Sequence, residues 1–207
     1  MAKRRVTASR PSVYEHMIYT VFQGGAKPAQ SKAIAFISCP DNNNVPRIIL
    51  GIGNELAKRF GSRVVLLDLC AIAEADWEVD RVPDASYRQL ADSDLWTITY
   101  ERERSIREGS ELSRWSADPE FRKRFFSEIR AKFDYILVDC GSLASSSALS
   151  GVAPIIDGII LIARAGVTRR AQLGYARSLV RECGGHLLGS VLDGRTYPLP
   201  QWLHRLL

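Results

Sequence analysis

The stretch from Ala33 to Ala57, AIAFISCPDNNNVPRIILGIGNELA, runs from an apolar segment through a short polar loop into a helical pattern, the order that sets a phosphate against backbone N–H groups. A phosphate loop of the form G-x-x-x-x-G-K-[S/T] works through its composition. The glycines let backbone N–H groups close around phosphates, the lysine neutralises them, and the hydroxyl holds magnesium. Here the loop reads Cys39-Pro40-Asp41-Asn42-Asn43-Asn44-Val45-Pro46 and leads into Arg47. No glycine, lysine, serine or threonine lies between Cys39 and Pro46. The outline of a nucleotide-binding segment is present without the residues that bind phosphate.

The elements around that loop read as an α/β chain. Apolar or β-branched runs recur at Ala33 to Ser38, Val64 to Leu69, Leu95 to Tyr100, Tyr135 to Asp139, Gly158 to Ala163 and Leu187 to Leu192. Most are nearly continuous, as expected for parallel strands covered on both faces. Between them, Pro46 to Arg59 places Ile48, Ile49, Ile52 and Leu56 at helical spacing, with Pro46 where a first turn tolerates it. Thr168 to Cys183 carries a second stripe, with Thr168 expected as N-cap and Gly184-Gly185 as the stop. Phe121 to Phe133 is a third helix with a basic outer face. Ala71 to Arg114 shows one convincing strand and is expected to be a surface excursion with short helices. The expected fold is a doubly wound, mostly parallel sheet with helices on both faces.

The 207 residues, 46% hydrophobic and 25% charged, suffice for one full-sized core. We expect a basic tail and helix over residues 1–30 and one α/β domain over 31–207. No run of about 18 apolar residues occurs, and the basic start Met1 to Arg5 is not followed by a signal-peptide core, which reads as a soluble cytoplasmic chain. Of the net +5, Lys3, Arg4, Arg5 and Arg10 precede the first carboxylate, Glu15. That tail suits an anionic lipid surface, an acidic partner or plain solvation; nucleic acid is not expected, because no aromatic residues interleave the charges. The four cysteines form no C-x-x-C pair and are expected to be reduced.

Three segments together resemble a known family. Arg63-Val64-Val65-Leu66-Leu67-Asp68 is similar to the second strand of deviant Walker ATPases, which ends in aspartate. Phe133-Asp134-Tyr135-Ile136-Leu137-Val138-Asp139 resembles the YDYVIID strand of bacterial tyrosine kinases, and the stretch Ala153 to Arg169, APIIDGIILIARAGVTR, resembles their APLVDGVLLVVRAGVTR. From about Tyr14 onward the chain therefore resembles the capsular and exopolysaccharide tyrosine autokinases, within the superfamily of partition and septum-site ATPases. The resemblance implies a P-loop α/β fold, Mg-ATP binding, oligomerisation, and a membrane chain-length regulator or other polysaccharide-export protein as partner.

Laying that family's GEGKST loop over this chain, anchored on Asp68, sets its glycines at Asn42 and Asn44, its lysine at Val45 and its hydroxyl residues at Pro46 and Arg47. Asp41 and Asn43 complete the altered loop. Asp68 and Asp139 stand where the family positions magnesium and the attacking group, and Asp193 where it often has an asparagine meeting the adenine base. The two strand-end aspartates read equally as caps of the following turns. Cys39, Cys70 and Cys140 each follow a strand on the ligand-binding edge, and read either as a soft metal or redox site with Asp68 and Asp139 or as small buried residues.

Other features of the family are eroded as well. The E-x-x-R-x-x-R oligomerising helix is reduced to Glu15-His16-Met17-Ile18-Tyr19-Thr20-Val21, and the tyrosine-rich tail to Tyr197 alone, beside an apolar end at Trp202, Leu203, Leu206 and Leu207. The expected function is a non-catalytic relative of the polysaccharide kinases, without cofactor, serving as an assembly or regulatory subunit. The alternative is a Mg-ATP-binding ATPase or protein tyrosine kinase that uses an altered loop, with Arg47 or Lys32 replacing the lysine. A partition-type positioning protein is a third reading.

Overall fold

The computed structural model describes residues 14–22, 28–39, 44–74, 87–90, 93–98, 118–143 and 146–194. Each apolar run of the sequence forms a strand. In chain order the described elements are α1 (Glu15–Val21), β1 (Lys32–Cys39), α2 (Val45–Phe60), β2 (Val64–Asp68), α3 (Leu69–Glu74), β3 (Tyr87–Gln89), β4 (Leu95–Ile98), α4 (Pro119–Lys132), β5 (Tyr135–Ser142), α5 (Ser146–Val152), β6 (Gly158–Arg164), α6 (Arg170–Glu182) and β7 (Leu187–Asp193).

The seven strands form one sheet in the order β3-β4-β2-β5-β1-β6-β7, parallel except for the β3–β4 pair. The six runs expected from sequence correspond to the parallel strands. The three residues of β3 are too short to carry a pattern, and they pair antiparallel beside β4 within the segment expected to hold one strand. Leu69, expected to close β2, instead opens α3.

Side chains of the central strands alternate between two helical layers, as a period of two requires. From β1, Ala33, Ala35, Ile37 and Cys39 join the core under α3, α4, α5 and α6, whereas Ile34 and Phe36 join the core under α1 and α2. β5 divides likewise, with Ile136, Val138 and Cys140 on the first side and Tyr135 and Leu137 on the second. That two-sided cover explains the continuous apolar runs. The sheet is doubly wound.

α2 brings Ile48, Ile49, Ile52 and Leu56 down together on the sheet, each fully buried aliphatic group contributing roughly 1.5–3 kcal/mol. A Cβ at Gly53 would sit 2.8 Å from Leu95 Cδ1, so the missing side chain sets how closely α2 approaches. The helix ends at Gly61, whose φ of 64° lets its N–H reach back to the Ala57 carbonyl. α1 packs beside α2 through Ile18 and Phe22, and Tyr135 Oη donates to the Phe22 carbonyl at 3.1 Å. α4 begins at Pro119, two residues before Phe121, because the Asp118 carboxylate accepts from the Glu120 and Phe121 N–H groups and Pro119 occupies the first turn.

Candidate functional site

In an open α/β sheet, ligands bind outside the carboxyl ends of the strands. At that rim the described chain presents the ends of β1, β2, β5, β6 and β7 and the start of α2. Asp41, Asn42 and Asn43 lie outside the described residues, as do the basic tail and the Tyr197 and Trp202 to Leu207 end. The α1 backbone occupies the expected helix, although the Glu15 side chain is outside the description.

The rest of the altered loop is placed. Asn44 is the N-cap residue of α2, but its side chain does not cap the helix; its amide donates to Asp193 Oδ2 at 3.0 Å. The start of α2 is thereby tied to the end of β7. Val45, at the lysine position of the family overlay, is buried in the α1–α2 core. Pro46 lies in the first turn and contributes no N–H, and Arg47 beside it is exposed. Lys32 opens β1, and its N–H bonds the Asp134 carbonyl at the opposite edge of the sheet.

Asp68 and Asp139 are direct neighbours across the β2–β5 ladder. Asp68 Oδ1 accepts from the Ala71 N–H at 3.1 Å, and Asp139 Oδ1 from the Gly141 N–H at 2.8 Å. Gly141 has φ of 67°, the left-handed turn that brings its N–H back to the carboxylate. Asp68 thus caps the turn after β2, whereas Asp139, expected at a strand end, lies inside β5, which runs on to Ser142, and holds an irregularity of that strand at Gly141. Burial pushes the Asp139 carboxyl above its ordinary value, the Gly141 N–H pulls it down, and the neighbouring Asp68 charge pushes it up. A hard divalent cation between the two would relieve that repulsion; so would a proton on Asp139.

The strand-end cysteines do not form the alternative cluster. Cys39 and Cys140 are buried, and burial raises both thiols, with the Asp139, Cys70 and Asp68 charges adding to the effect at Cys140. A thiol held protonated is a poor metal ligand and a poor nucleophile. Among the described residues no group of three His, Cys, Asp or Glu side chains is placed to hold a metal ion.

Two residues of this rim have roles that the sequence does not show. Thr168 is not the N-cap of α6, which is Arg169; its hydroxyl donates to the Cys39 carbonyl at 2.5 Å and accepts from the Arg164 N–H at 2.7 Å. It therefore fastens the turn after β6 to the end of β1, at the root of the altered loop. Arg164 ends β6 opposite Asp193 and, with Arg47, adds an exposed cation to the rim that carries Asp68, Asp139 and Asp193. Its apolar run was the visible signal, and the cation at the end of the run was the one to follow.

No family model and no curated protein matches the chain. Solved structures do. The chimerical protein CapA2B2 superposes with a TM-score of 0.64 at 10% identity, over 87% of this chain and 82% of that one. The VpsO kinase domain gives 0.61 at 14% identity over 88% and 91%, and a plasmid partition protein from Borrelia burgdorferi gives 0.57 at 17% over 86% of each. At these identities the likeness shows the fold alone, a mostly parallel α/β sheet of the P-loop NTPase type shared with a kinase domain and a plasmid partition protein.

Proposed function

We propose that, on this kinase-like fold, the chain is a non-catalytic relative of the polysaccharide-synthesis tyrosine kinases, an assembly or regulatory subunit of an exopolysaccharide synthesis and export machine. It works at the inner face of the membrane through a chain-length regulator or other export protein. The observation that carries this reading is the pairing of Val45 with the rim. Val45, at the lysine position of the family overlay, is an apolar side chain buried in the core, while at the same rim Asp68 neighbours Asp139 and Asp193 holds the Asn44 amide.

Phosphoryl transfer depends on positioning and on cations aimed at the charge of the transferring group. The Asp68–Asp139 pair fits a divalent cation. On the phosphate side the described residues support the reading, since Pro46 removes a first-turn donor, the Asn44 amide is engaged by Asp193, and Arg47 is exposed. Among the described residues no helix is long and apolar enough to cross a membrane, so this reading brings the chain to the membrane through a partner.

Calorimetric titration with Mg-ATP tests the reading. No binding at millimolar nucleotide and no ATP-dependent phosphorylation are expected; micromolar binding overturns it. The second reading, nucleotide held by an altered loop, is favoured by one observation, that exposed Arg47 makes no ion pair among the described residues. It requires that micromolar binding be lost in Arg47→Ala.

A further inference from the structure

The sheet has an open edge with two unlike flanks. Among the described residues β7 pairs on one side only, with β6, and no further backbone bond reaches Leu187 to Leu192 from the other side. Edge strands are ordinarily blunted by lysine, proline, a bulge or a covering element. Here the run is Leu-Leu-Gly-Ser-Val-Leu before Asp193; its pairing with β6 shifts register at Leu188 and is regular from Gly189 onward, and Leu188 is 37% and Leu192 54% exposed. On the α1 face, a cleft of about 190 Å³ lies between the helix and the strand, lined by Met17, Thr20, Val21, Leu188, Ser190 and Val191. On the opposite face α6 packs over β6 and β7. Its exposed Arg170, Arg177 and Arg181 share one stripe around Gly174, and none makes an ion pair among the described residues.

We propose that this edge takes up an extended segment of another protein in which apolar side chains alternate with carboxylates. Successive side chains of a strand point to opposite faces. A segment added along β7 sends one set into the α1–β7 cleft and the other toward the arginines of α6, while its backbone meets the unpaired groups of Leu187 to Leu192. The charge of α6 selects this occupant over two others. The chain's own residues 195–207 contain no carboxylate and include Pro198 and Pro200, each without a ladder N–H. A second copy added two-fold through β7 sets one arginine stripe beside another. The inference rests on the edge alone and is independent of whether nucleotide binds.

The test uses the full chain and a fluorescein-labelled ten-residue peptide alternating valine and glutamate, with a valine–lysine peptide as control. Polarisation should show saturable binding of the first and none of the second, with amide exchange slowed at Leu187 to Leu192. Thr20→Trp, an exposed position that fills the cleft, and the exposed double change Arg177→Glu/Arg181→Glu should each weaken binding about tenfold while leaving the melting midpoint unchanged. Loss in the arginine variant alone would reduce the effect to surface charge and overturn the proposal, as would absence of binding at millimolar peptide. It is also overturned if sedimentation shows a dimer abolished by Thr20→Trp, or if anionic vesicles or duplex DNA bind where the peptide does not.

Discussion

The two rims of the sheet deal with their charges in opposite ways. At the amino ends, Arg130 donates to the Ser31 carbonyl at 2.6 Å, to Asp157 Oδ2 at 2.9 Å and to the Ile155 carbonyl at 3.0 Å. Asp157 Oδ2 also accepts from the Ala33 N–H at 2.6 Å, while Asp134 holds the Arg63 N–H at 2.7 Å and faces its guanidinium at 3.5 Å. Arg130 and Asp157 clamp α4 to the start of β1, and Asp134 and Arg63 clamp the starts of β5 and β2. At the carboxyl ends, Asp68 and Asp139 stand side by side with Asp139 held above its ordinary value, and Asp193 faces an amide. One rim uses its charges for stability. The other keeps two carboxylates side by side, with no cation bonded to either among the described residues.

Breaking the amino rim should have the largest effect. Arg130→Ala is expected to cost about 2–3 kcal/mol in urea denaturation, because carbonyls of Ser31 and Ile155 and the Asp157 carboxylate lose one shared donor. An unchanged midpoint would dissolve the contrast. Next, Thr168→Val should cost about 1–2 kcal/mol by the same measurement, since the Cys39 carbonyl and the Arg164 N–H both lose their partner.

The sign reverses at the carboxyl rim. Asp139→Asn should stabilise at neutral pH, because a charge is no longer buried and no longer repelled by Asp68, while the amide oxygen keeps the Gly141 N–H. With the folded carboxyl raised above its unfolded value, the folded state binds the proton more tightly, so falling pH relieves the wild-type penalty. The advantage of the variant should shrink as pH drops from 7 through the raised value, in melts followed by circular dichroism. A variant that is destabilised or shows no pH dependence would place both rims in one class. Asn44→Ala should cost no more than about 1 kcal/mol, as an exposed bond to Asp193 is lost, and Arg47→Ala should stay within about 0.5 kcal/mol.

Much of this could be read in the chain. The runs at Ala33, Val64, Tyr135 and Gly158 read as covered parallel strands because both faces of each are packed. The run at Leu187 reads the same way yet lies at the edge, half bare, since pattern reports composition and only the neighbours decide cover. α4 was placed late although Asp118-Pro119 is a legible helix start. Thr168 has the composition of an N-cap, but a short bond to Cys39, far away in sequence, claims its hydroxyl instead.

The sequence by itself determined which groups are present: a loop with no lysine or hydroxyl, two aspartates ending apolar runs, and a scaffold able to fold around them. Residue type sets what chemistry is possible, and periodicity sets which side chains are buried. Tertiary structure alone decided which groups meet. It set Asp68 against Asp139, turned Asn44 toward Asp193, sank Val45 into the core and, among the described residues, left β7 paired on one side only. Those relations depend on the order and register of strands, which are fixed by contacts between residues far apart in the chain.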